Sequence, residues 1–245
     1  MNRQYLRFKW SHDLLVHRLA VRSYNSIMRL VPFRIKYGIG RRLRAGSFPY
    51  LLVDDGSIVV QVGAPSDTLL AGRSRGMYFC LFAGPRGKVV IIEPDASSVR
   101  AFESMAERQE IQNAVFCSTA AWSREEYLQI YINDSHPASS FSKGCKEYDA
   151  DRLESFRLVE VRANTIDCLL NEQGITKVDL VSVTTNGAEK EILSGMKGLI
   201  ASGLPYISLA ITGEGYIGMM GDLGYELLAY DDRGFTFGRI ERDHA

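Results

Sequence analysis

The chain has 245 residues, of which 46% are hydrophobic and 24% are charged, a composition typical of a globular protein with a sizeable core. This length predicts one large α/β domain, or one domain with an appendage. No apolar run approaches the roughly 18–20 residues of a membrane-spanning helix, and the amino terminus lacks the pattern of a secretory signal. The four cysteines form no C-x-x-C pair, which argues against a structural zinc site and indicates reduced, mostly buried thiols in a cytosolic protein.

The formal net charge of zero hides a strong asymmetry along the chain. Residues 1–45 contain eleven Lys and Arg residues and a single acid, Asp13, whereas the other 200 residues contain 18 basic and 28 acidic side chains. The first segment therefore carries a charge of about +10 and the rest about −10. Such a basic arm either folds against the acidic body of its own chain or binds an anionic partner.

The first predicted element is a helix over residues 11–32, which Pro32 ends. Arg18, Arg22 and Arg29 share one narrow face of this helix, and apolar side chains spread over the rest. Either the helix packs on the domain and points its arginines at water, or it lies on a membrane surface or against a protein partner. Nucleic acid is not expected as a partner, because the aromatic residues form no stacking platform with the basic ones.

Residues 34–49, RIKYGIGRRLRAGSFP, are interpreted as a basic, turn-rich linker into the main domain. The chain is thereby divided into a basic arm, residues 1–48, and a main domain, residues 49–245. We expect the arm to bind a protein partner or an anionic membrane surface, which would make the protein cytoplasmic or peripheral on the cytoplasmic face of a membrane. The candidate interface residues are its arginines: Arg18, Arg22, Arg29, Arg41, Arg42 and Arg44.

From residue 50 onward, short apolar runs alternate with helical patterns, which predicts a mostly parallel, doubly wound α/β sheet. No long helix separates the strands predicted at 127–133 and 156–162, and the last two strands form a predicted antiparallel hairpin. The strands are predicted at 57–62, 88–94, 113–121, 127–133, 156–162, 178–183, 205–212, 225–232 and 235–241, and helices at about 66–82, 96–109 and 165–174.

Three strand ends carry candidate functional residues. The first strand runs into a turn at Gly63, the geometry by which glycine-rich loops admit a nucleotide, although Pro65 removes one backbone donor and Asp67 can itself cap the following helix. An ordinary strand, turn and capped helix is the better explanation of this loop, because Gly63 is its only glycine. Glu93 ends the second strand, where an acid either binds a ribose hydroxyl pair or is merely solvated. The third strand end carries Thr184, Thr185 and Asn186.

These segments together resemble the FkbM-type S-adenosylmethionine-dependent methyltransferases. The resemblance is carried, in order and spacing, by VVQVGAPSD, VVIIEPD, STAAWSREEYLQIYI, VEVRANTIDCLL and VDLVSVTTNGAEKEILSGM, which lie within residues 57–200. It implies the Rossmann-like class I methyltransferase fold and an O-methyltransferase that acts on hydroxyls of sugars or other small metabolites. It also implies S-adenosylmethionine as the cofactor if the chain is active.

The resemblance assigns residues of this chain to the donor site and to the region of the acceptor. Gly63 and Ala64 match the family's D-x-G-A-N-x-G turn, and Glu93 matches the acid that binds the ribose. Ala120 and Ala121 match the small residues beside the adenine. Gly187 and Glu189 match the end of the family's K-I-D-x-E-G-x-E segment near the acceptor.

Six positions depart from the family pattern. In the turn, Gln61 replaces aspartate, Pro65 replaces asparagine and Asp67 replaces glycine; in the last segment, Ser182 replaces lysine, Thr184 replaces aspartate and Asn186 replaces glutamate. The loss of an acid at position 61 weakens the site for the donor's ammonium, and the acid gained at position 67 places a like charge near the donor's carboxylate. Each of these two changes costs around 1 kcal/mol or more.

The changes in the last segment remove the base that methyl transfer to a hydroxyl usually needs, because Thr184 and Asn186 cannot accept a proton at neutral pH. His136, in a predicted loop, is the one candidate replacement. We therefore expect a degenerate methyltransferase-like protein that works as a binding or structural subunit. The alternative is an active S-adenosylmethionine-dependent O-methyltransferase, since some methyl transfers need little beyond proximity and orientation. A third possibility is a sensor whose pocket, lined by Gly63, Glu93 and Ala120, holds a different nucleotide or metabolite.

Overall fold

A computed structural model describes residues 23–24, 26–133, 136–140, 157–185, 187–203, 205–211, 214–230 and 234–240. Residues 26–30 are helical, and a 3₁₀ turn spans Tyr50–Leu52. The helices are α1 (Phe33–Arg44), α2 (Ser66–Leu70), α3 (Arg75–Ala83), α4 (Ala96–Arg108), α5 (Ile166–Glu172), α6 (Glu189–Ser194), α7 (Lys197–Ser202) and α8 (Glu214–Asp222). The strands are β1 (Ile58–Val62), β2 (Lys88–Ile92), β3 (Ala114–Cys117), β4 (Ala120–Ala121), β5 (Glu126–Asn133), β6 (His136–Ser140), β7 (Arg157–Asn164), β8 (Leu180–Val183), β9 (Tyr206–Leu209), β10 (Tyr225–Tyr230) and β11 (Phe235–Arg239).

Seven strands form the main sheet in the order β10-β11-β9-β8-β1-β2-β3. The five strands from β3 to β9 pair in parallel, and β11 lies antiparallel between β9 and β10. This is the Rossmann-like arrangement of class I methyltransferases, so the predicted fold and the carboxyl-terminal hairpin are confirmed. The central strands consist almost wholly of buried residues, because helices cover both faces of a parallel sheet.

Two apolar cores lie on opposite faces of the main sheet. Val59 and Ile91 contribute to the core under α1, α3 and α4, whereas their neighbours Val60 and Ile92 contribute to the core under α5 to α8. The alternation follows from the strand geometry, in which successive side chains point to opposite faces. No described helix is both long and apolar enough to cross a membrane.

The interpretation of residues 34–49 as a linker is wrong, because most of this segment forms helix α1. Tyr37 is fully buried against Tyr78 of α3, with ring centroids 5.0 Å apart, and its hydroxyl donates to the carbonyl of Leu69 over 2.8 Å. The side chain of Lys36 donates to the carbonyls of Leu70 and Met28, over 2.7 and 3.2 Å. Part of the predicted arm is thus packed on the main domain; the division at residue 48 stays a prediction.

The helix predicted at 66–82 is interrupted. It divides into α2 and α3 at Gly72, whose φ of +70° leaves the helical region, and Ser74 then caps α3 by accepting a hydrogen bond from the Met77 N–H over 3.3 Å. The side chain of Lys36 lies against Gly72, with its Cδ 3.2 Å from where a Cβ would stand. The break thus lets α1 pack closely over this turn.

A second sheet, in the order β4-β7-β5-β6, stands beside the carboxyl end of β3. The single strand predicted at 113–121 divides here: β3 pairs with β2 in the main sheet, and β4 pairs with β7 in the second sheet. The strands β5 and β7 pair antiparallel over seven residues, consistent with the absence of a long helix between them. Cys80 and Cys117 are buried free thiols, as predicted for most of the cysteines, whereas Cys168 is exposed.

Candidate functional site

The carboxyl ends of β1, β2 and β8 lie side by side, and Gly63 sits at their centre. Its N–H donates to the carbonyl of Ile92 over 2.9 Å, and its φ is +83°. A Cβ at this position would collide with the backbone carbonyl oxygen of Thr184. The sharp turn and the packing against β8 therefore explain the glycine without any ligand.

The side chain of Gln61 joins this turn to the end of β8. Its Nε2 lies 2.8 Å from the carbonyl oxygens of Val62 and Gly63 and 2.8 Å from the hydroxyl of Thr184. That hydroxyl lies 3.0 and 2.9 Å from the same two carbonyls. Gln61 is fully buried, and its Oε1 has no hydrogen-bond partner in the described part of the chain. The two residues that replace family acids thus satisfy the carbonyls of the turn.

Glu93 closes the other side of the turn. The residue is only 5% exposed, so the alternative of a solvated acid at a strand end is wrong. One carboxyl oxygen accepts from the N–H of Ala64 over 2.7 Å and the other from the N–H of Asp95 over 2.9 Å. Burial raises the pKa of Glu93 to about 7, although both backbone hydrogen bonds favour the ionised form.

Asp95 caps helix α4 and connects it to the turn. Its carboxylate accepts hydrogen bonds from the backbone N–H and the hydroxyl groups of Ser97 and Ser98. Partial burial opposes ionisation, but these hydrogen bonds outweigh it and hold the pKa of Asp95 below its usual value. The Ser98 hydroxyl in turn accepts from the N–H of Ser66 at the start of α2, over 3.1 Å.

Asp67 lies in the first turn of α2 and is paired with Arg73, in the turn that follows this helix. Its Oδ2 is 3.8 Å from the Nη2 of Arg73. The residue before the helix, Pro65, has no side-chain capping bond. The negative charge that we expected at this helix terminus is therefore partly compensated by Arg73.

A row of buried polar side chains crosses four strands of the main sheet. Gln61, Ser182, Ser208 and Thr236 are register partners on β1, β8, β9 and β11. Buried Arg75 of α3 lies over this row, with its Nη1 3.1 Å from the Ser208 hydroxyl and 3.5 Å from that of Ser182. Arg75 thus places a positive charge of α3 against buried hydroxyls of β8 and β9.

The segment after β8 holds a carboxylate that was matched to the family's last motif but was not predicted to be buried or to be a candidate base. Glu189, at the start of α6, is 1% exposed, and its Oε1 accepts from the Thr185 hydroxyl over 3.0 Å. Its Oε2 is buried and has no hydrogen-bond partner in the described part of the chain. Tyr216 lies close enough that its pKa is raised, first by burial and then by the charge of Glu189. The available sequence signal was the match of Glu189 to the last glutamate of the family segment.

The remaining candidates lie elsewhere. Ala120 and Ala121 are buried in β4, where they pair with Ala163 and Asn164 of β7. The backbone of His136 belongs to β6 of the second sheet, so the predicted loop there is wrong. Asn186 lies outside the described residues, as do Arg18 and Arg22.

The described arginines of the arm differ in their surroundings. Arg29, Arg41 and Arg42 are exposed. Arg41 lies over the Phe82 ring, with its guanidinium carbon 5.3 Å from the ring centroid. The guanidinium carbon of Arg44 lies 4.3 Å from the ring centroid of Tyr78. Arg44 therefore contributes to the packing of α1 on the domain.

A cavity of about 350 Å³ opens between the start of α4 and the second sheet. Gly63, Glu93 and Ala120 are not among the residues that line it. In the described residues, no group of three or more His, Cys, Asp or Glu side chains is arranged to bind a metal ion. The cavity is lined by Pro94, Asp95, Ala96, Ser97, Arg100, Ser118, Ile132, Arg157, Val159, Glu160, Val161 and Arg162.

The family model of the methyltransferase FkbM domain matches residues 61–230, more than half of the chain. The chain belongs to the FkbM methyltransferase family. The match begins at Gln61 on β1 and ends at Tyr230 on β10, so it spans the strand ends described above. The predicted family is confirmed. A comparison with the curated proteins found no match.

Several solved structures resemble this FkbM-family chain at low sequence identity. The methyltransferase FkbM from Methylobacillus flagellatus KT is 14% identical, with a TM-score of 0.49, and the alignment covers 93% of this chain and 60% of that chain. Aeropyrum pernix fibrillarin, solved with bound S-adenosyl-L-methionine, is 13% identical over 82% of this chain and 74% of that chain, with a TM-score of 0.43. A methyltransferase from Aquifex aeolicus is 14% identical over 87% of this chain and 95% of that chain, with a TM-score of 0.42. This chain thus spans about three-fifths of the length of the Methylobacillus protein.

Proposed function

We propose that this chain is a non-catalytic member of the FkbM family that works as a binding or structural subunit and attaches to a membrane or a larger assembly through its basic amino-terminal arm. The observation that carries the proposal is that the polar groups of the β1–α2 turn are bonded to side chains of the protein itself. The charge asymmetry of the chain supports the role of the arm.

The residues at the turn fit S-adenosylmethionine poorly. The donor's ammonium needs acceptors, but the carbonyls of Val62 and Gly63 already receive Gln61 and Thr184. The donor's carboxylate needs N–H groups, and that of Ala64 already donates to Glu93. A neutral Gln61 also lacks the charge with which an acid would attract the ammonium.

The acceptor side of the site supports the same conclusion. Thr184 stands where the family has aspartate, and its hydroxyl is bonded within the turn. A threonine hydroxyl does not accept a proton at neutral pH, so it cannot activate a substrate hydroxyl. The end of β8 therefore still supports the fold, but its residue 184 can no longer act as a base.

The proposal is tested by isothermal titration calorimetry of the full chain with S-adenosylmethionine. We expect no binding at micromolar concentrations. Thermal unfolding with and without the donor gives an independent check, because a ligand that binds the folded state raises the melting temperature. Micromolar binding of the donor by the wild-type chain would overturn the proposal.

The second candidate function is S-adenosylmethionine-dependent O-methyl transfer to a small-molecule or sugar hydroxyl. Besides the family, one observation favours it, and it concerns the buried carboxylate of Glu189 at the start of α6. One of its oxygens accepts from the Thr185 hydroxyl and the Gly187 N–H, and the other has no hydrogen-bond partner in the described part of the chain. A carboxylate in such an environment can act as a general base.

Transfer of a labelled methyl group to a cell extract tests this candidate, with wild type compared with Glu93→Ala and Glu189→Gln. If the chain is an enzyme, wild type labels a product, and each variant transfers the methyl group at least about tenfold more slowly. Absence of label with wild type, or equal labelling with Glu93→Ala, removes the candidate.

A further inference from the structure

The outward half of helix α1 is divided lengthwise into an apolar and a basic stripe. Ile35, Ile39 and Leu43, spaced four residues apart, share one face and are 51%, 55% and 76% exposed. Arg34 and Arg42 are exposed on the adjoining face. A helix whose inward face packs on a domain ordinarily carries polar residues outward, so this apolar stripe has no role in the described fold.

The apolar stripe has exposed apolar neighbours beyond α1. Leu51 follows α1 in the chain, and Ile27 and Leu30 belong to the helical residues 26–30 that precede it. All three side chains are more than half exposed. Single exposed apolar residues are ordinary, but six in one stretch of 25 residues indicate an interaction surface.

The charge of this region has one sign. The sequence contains no acidic residue between Asp13 and Asp54. Arg29, Arg34 and Arg42 are exposed there. A surface that combines exposed apolar side chains with exposed arginines complements a bilayer rich in acidic phospholipids, whose interior is apolar and whose headgroups are anionic.

Helix α1 is held firmly enough to present this surface. Gly40 packs so closely on Tyr78 that a Cβ there would collide with the phenol oxygen. Tyr37 and Lys36 each donate a hydrogen bond to the carboxyl-terminal end of α2. A helix fixed in this way keeps its outer stripes facing away from the domain, and binding does not have to order it first.

We infer that the outer face of α1, with Leu51 and residues 26–30, binds an anionic phospholipid bilayer. The apolar stripe enters the boundary between headgroups and acyl chains, and Arg34 and Arg42 bind lipid phosphates. The inference rests on the proposed function in that it names the surface to which the arm attaches. It does not depend on whether the donor binds.

The test is co-sedimentation of the full chain with vesicles of phosphatidylcholine alone or with about 30% phosphatidylserine. We expect wild type to bind only the anionic vesicles. Arg34→Gln with Arg42→Gln weakens binding roughly 30-fold, and Ile39→Gln with Leu43→Gln weakens it by at least about tenfold. The matched control, Arg108→Gln with Lys197→Gln, removes the same charge from exposed positions elsewhere and binds as wild type does.

Circular dichroism and melting temperature show that each variant is folded before its binding is compared. Absence of vesicle binding by wild type, equal binding to neutral vesicles, or unchanged binding by both α1 variants would overturn the inference. Retention on immobilised polyglutamate without vesicle binding would also overturn it, and would indicate an acidic protein partner. Calorimetry with S-adenosylmethionine tests separately whether the chain has lost donor binding. A failure of the proposed function can therefore be distinguished from a failure of the membrane inference.

Discussion

Gln61 on β1 and Thr184 at the end of β8 are joined by a hydrogen bond of 2.8 Å between the glutamine Nε2 and the threonine Oγ1. Both stand where the family carries an acid, and both bind the carbonyls of Val62 and Gly63. A neutral pair has thus replaced two carboxylates and stabilises the turn from within. This coupling has measurable consequences for stability.

The free energies of unfolding of Gln61→Leu and Thr184→Val should not be additive. Each substitution removes one partner of a buried hydrogen bond and costs about 1–3 kcal/mol, but the second costs less once the first is made. Urea denaturation of the two single variants and the double variant measures the coupling, which we expect at about 0.5–3 kcal/mol. The control pairs Gln61→Leu with Tyr50→Phe, whose effects should add; additivity in both cycles would contradict the coupling.

Gly63→Ala should destabilise the protein more than Gly56→Ala. Both glycines have positive φ, at +83° and +96°, so alanine is strained at either position. Only at Gly63 would the new Cβ also meet the backbone of Thr184, since no atom of the described residues lies within 4 Å of the corresponding position at Gly56. We expect about 1 kcal/mol for Gly56→Ala and at least about twice that for Gly63→Ala, measured by urea denaturation. Equal losses in the free energy of unfolding would mean that the contact between the new Cβ and the backbone of Thr184 does not destabilise the protein.

The fold was largely predictable because its signals are local. Apolar runs such as those of β1 and β8 end at glycines or polar residues, and helical patterns lie between them, so the strand sequence and the hairpin followed. The errors arose where a long-range contact decides the structure. Gly38 and Gly40 resemble turn residues in a linker, yet Gly40 lies within α1 because Tyr78 packs against it.

The candidate site was only partly predictable, because one amino-acid sequence does not show which side chains form hydrogen bonds between strands that are distant in sequence. The position of Glu93 followed from its place after β2, but its two backbone hydrogen bonds and its burial did not. Glu189 was matched to a family motif and not recognised as a buried carboxylate. Its burial depends on how α6 packs under the end of β8, which is a tertiary property.

The stability of the protein should fall as the pH rises from about 4.5 to about 7 because of Glu93. Its pKa is about 7 in the folded chain against an ordinary value of 4.5. Between these values the folded chain keeps the proton and the unfolded chain releases it, so the free energy of unfolding decreases with pH, by up to about 3 kcal/mol, and levels off above about pH 7.

Urea denaturation of wild type and Glu93→Gln across this pH range isolates the contribution of Glu93, because the glutamine does not titrate. The difference between the free energies of unfolding of wild type and Glu93→Gln should change between about pH 4.5 and about pH 7 and be constant above about pH 7. Asp95 does not confuse the measurement, since its lowered pKa affects stability only near and below its ordinary value of 3.8, and with the opposite sign. A pH-independent difference would contradict the raised pKa.

Two buried tyrosines should respond in opposite ways to the loss of their hydroxyl groups. The Tyr37 hydroxyl donates to the carbonyl of Leu69 over 2.8 Å, so Tyr37→Phe leaves a buried carbonyl with one partner fewer and costs about 1 kcal/mol. The Tyr50 hydroxyl is buried with no hydrogen-bond partner in the described part of the chain, so Tyr50→Phe should be neutral or stabilising. Melting temperatures of the two variants check this, and a larger loss for Tyr50→Phe would contradict the described hydrogen bonding of the two hydroxyls.

Restoring the family residues of the turn should restore donor binding. In Gln61→Asp with Pro65→Asn and Asp67→Gly, the amide no longer bonds to the carbonyls of Val62 and Gly63, residue 65 regains a backbone N–H, and an acid faces the donor's ammonium. We expect calorimetry to detect S-adenosylmethionine with this variant at micromolar concentrations and not with wild type.

The control for this restoration is Gln61→Leu, which also removes the amide from the turn but adds no charge. If opening the turn were sufficient, the control would bind the donor as well as the restored variant does. We expect it not to bind, because an ammonium taken from water needs a compensating charge or strong acceptors at its new site. A folded restored variant, shown by an unchanged circular dichroism spectrum, that still fails to bind would mean that the donor site has been lost beyond the turn, at β4 or at the end of β8.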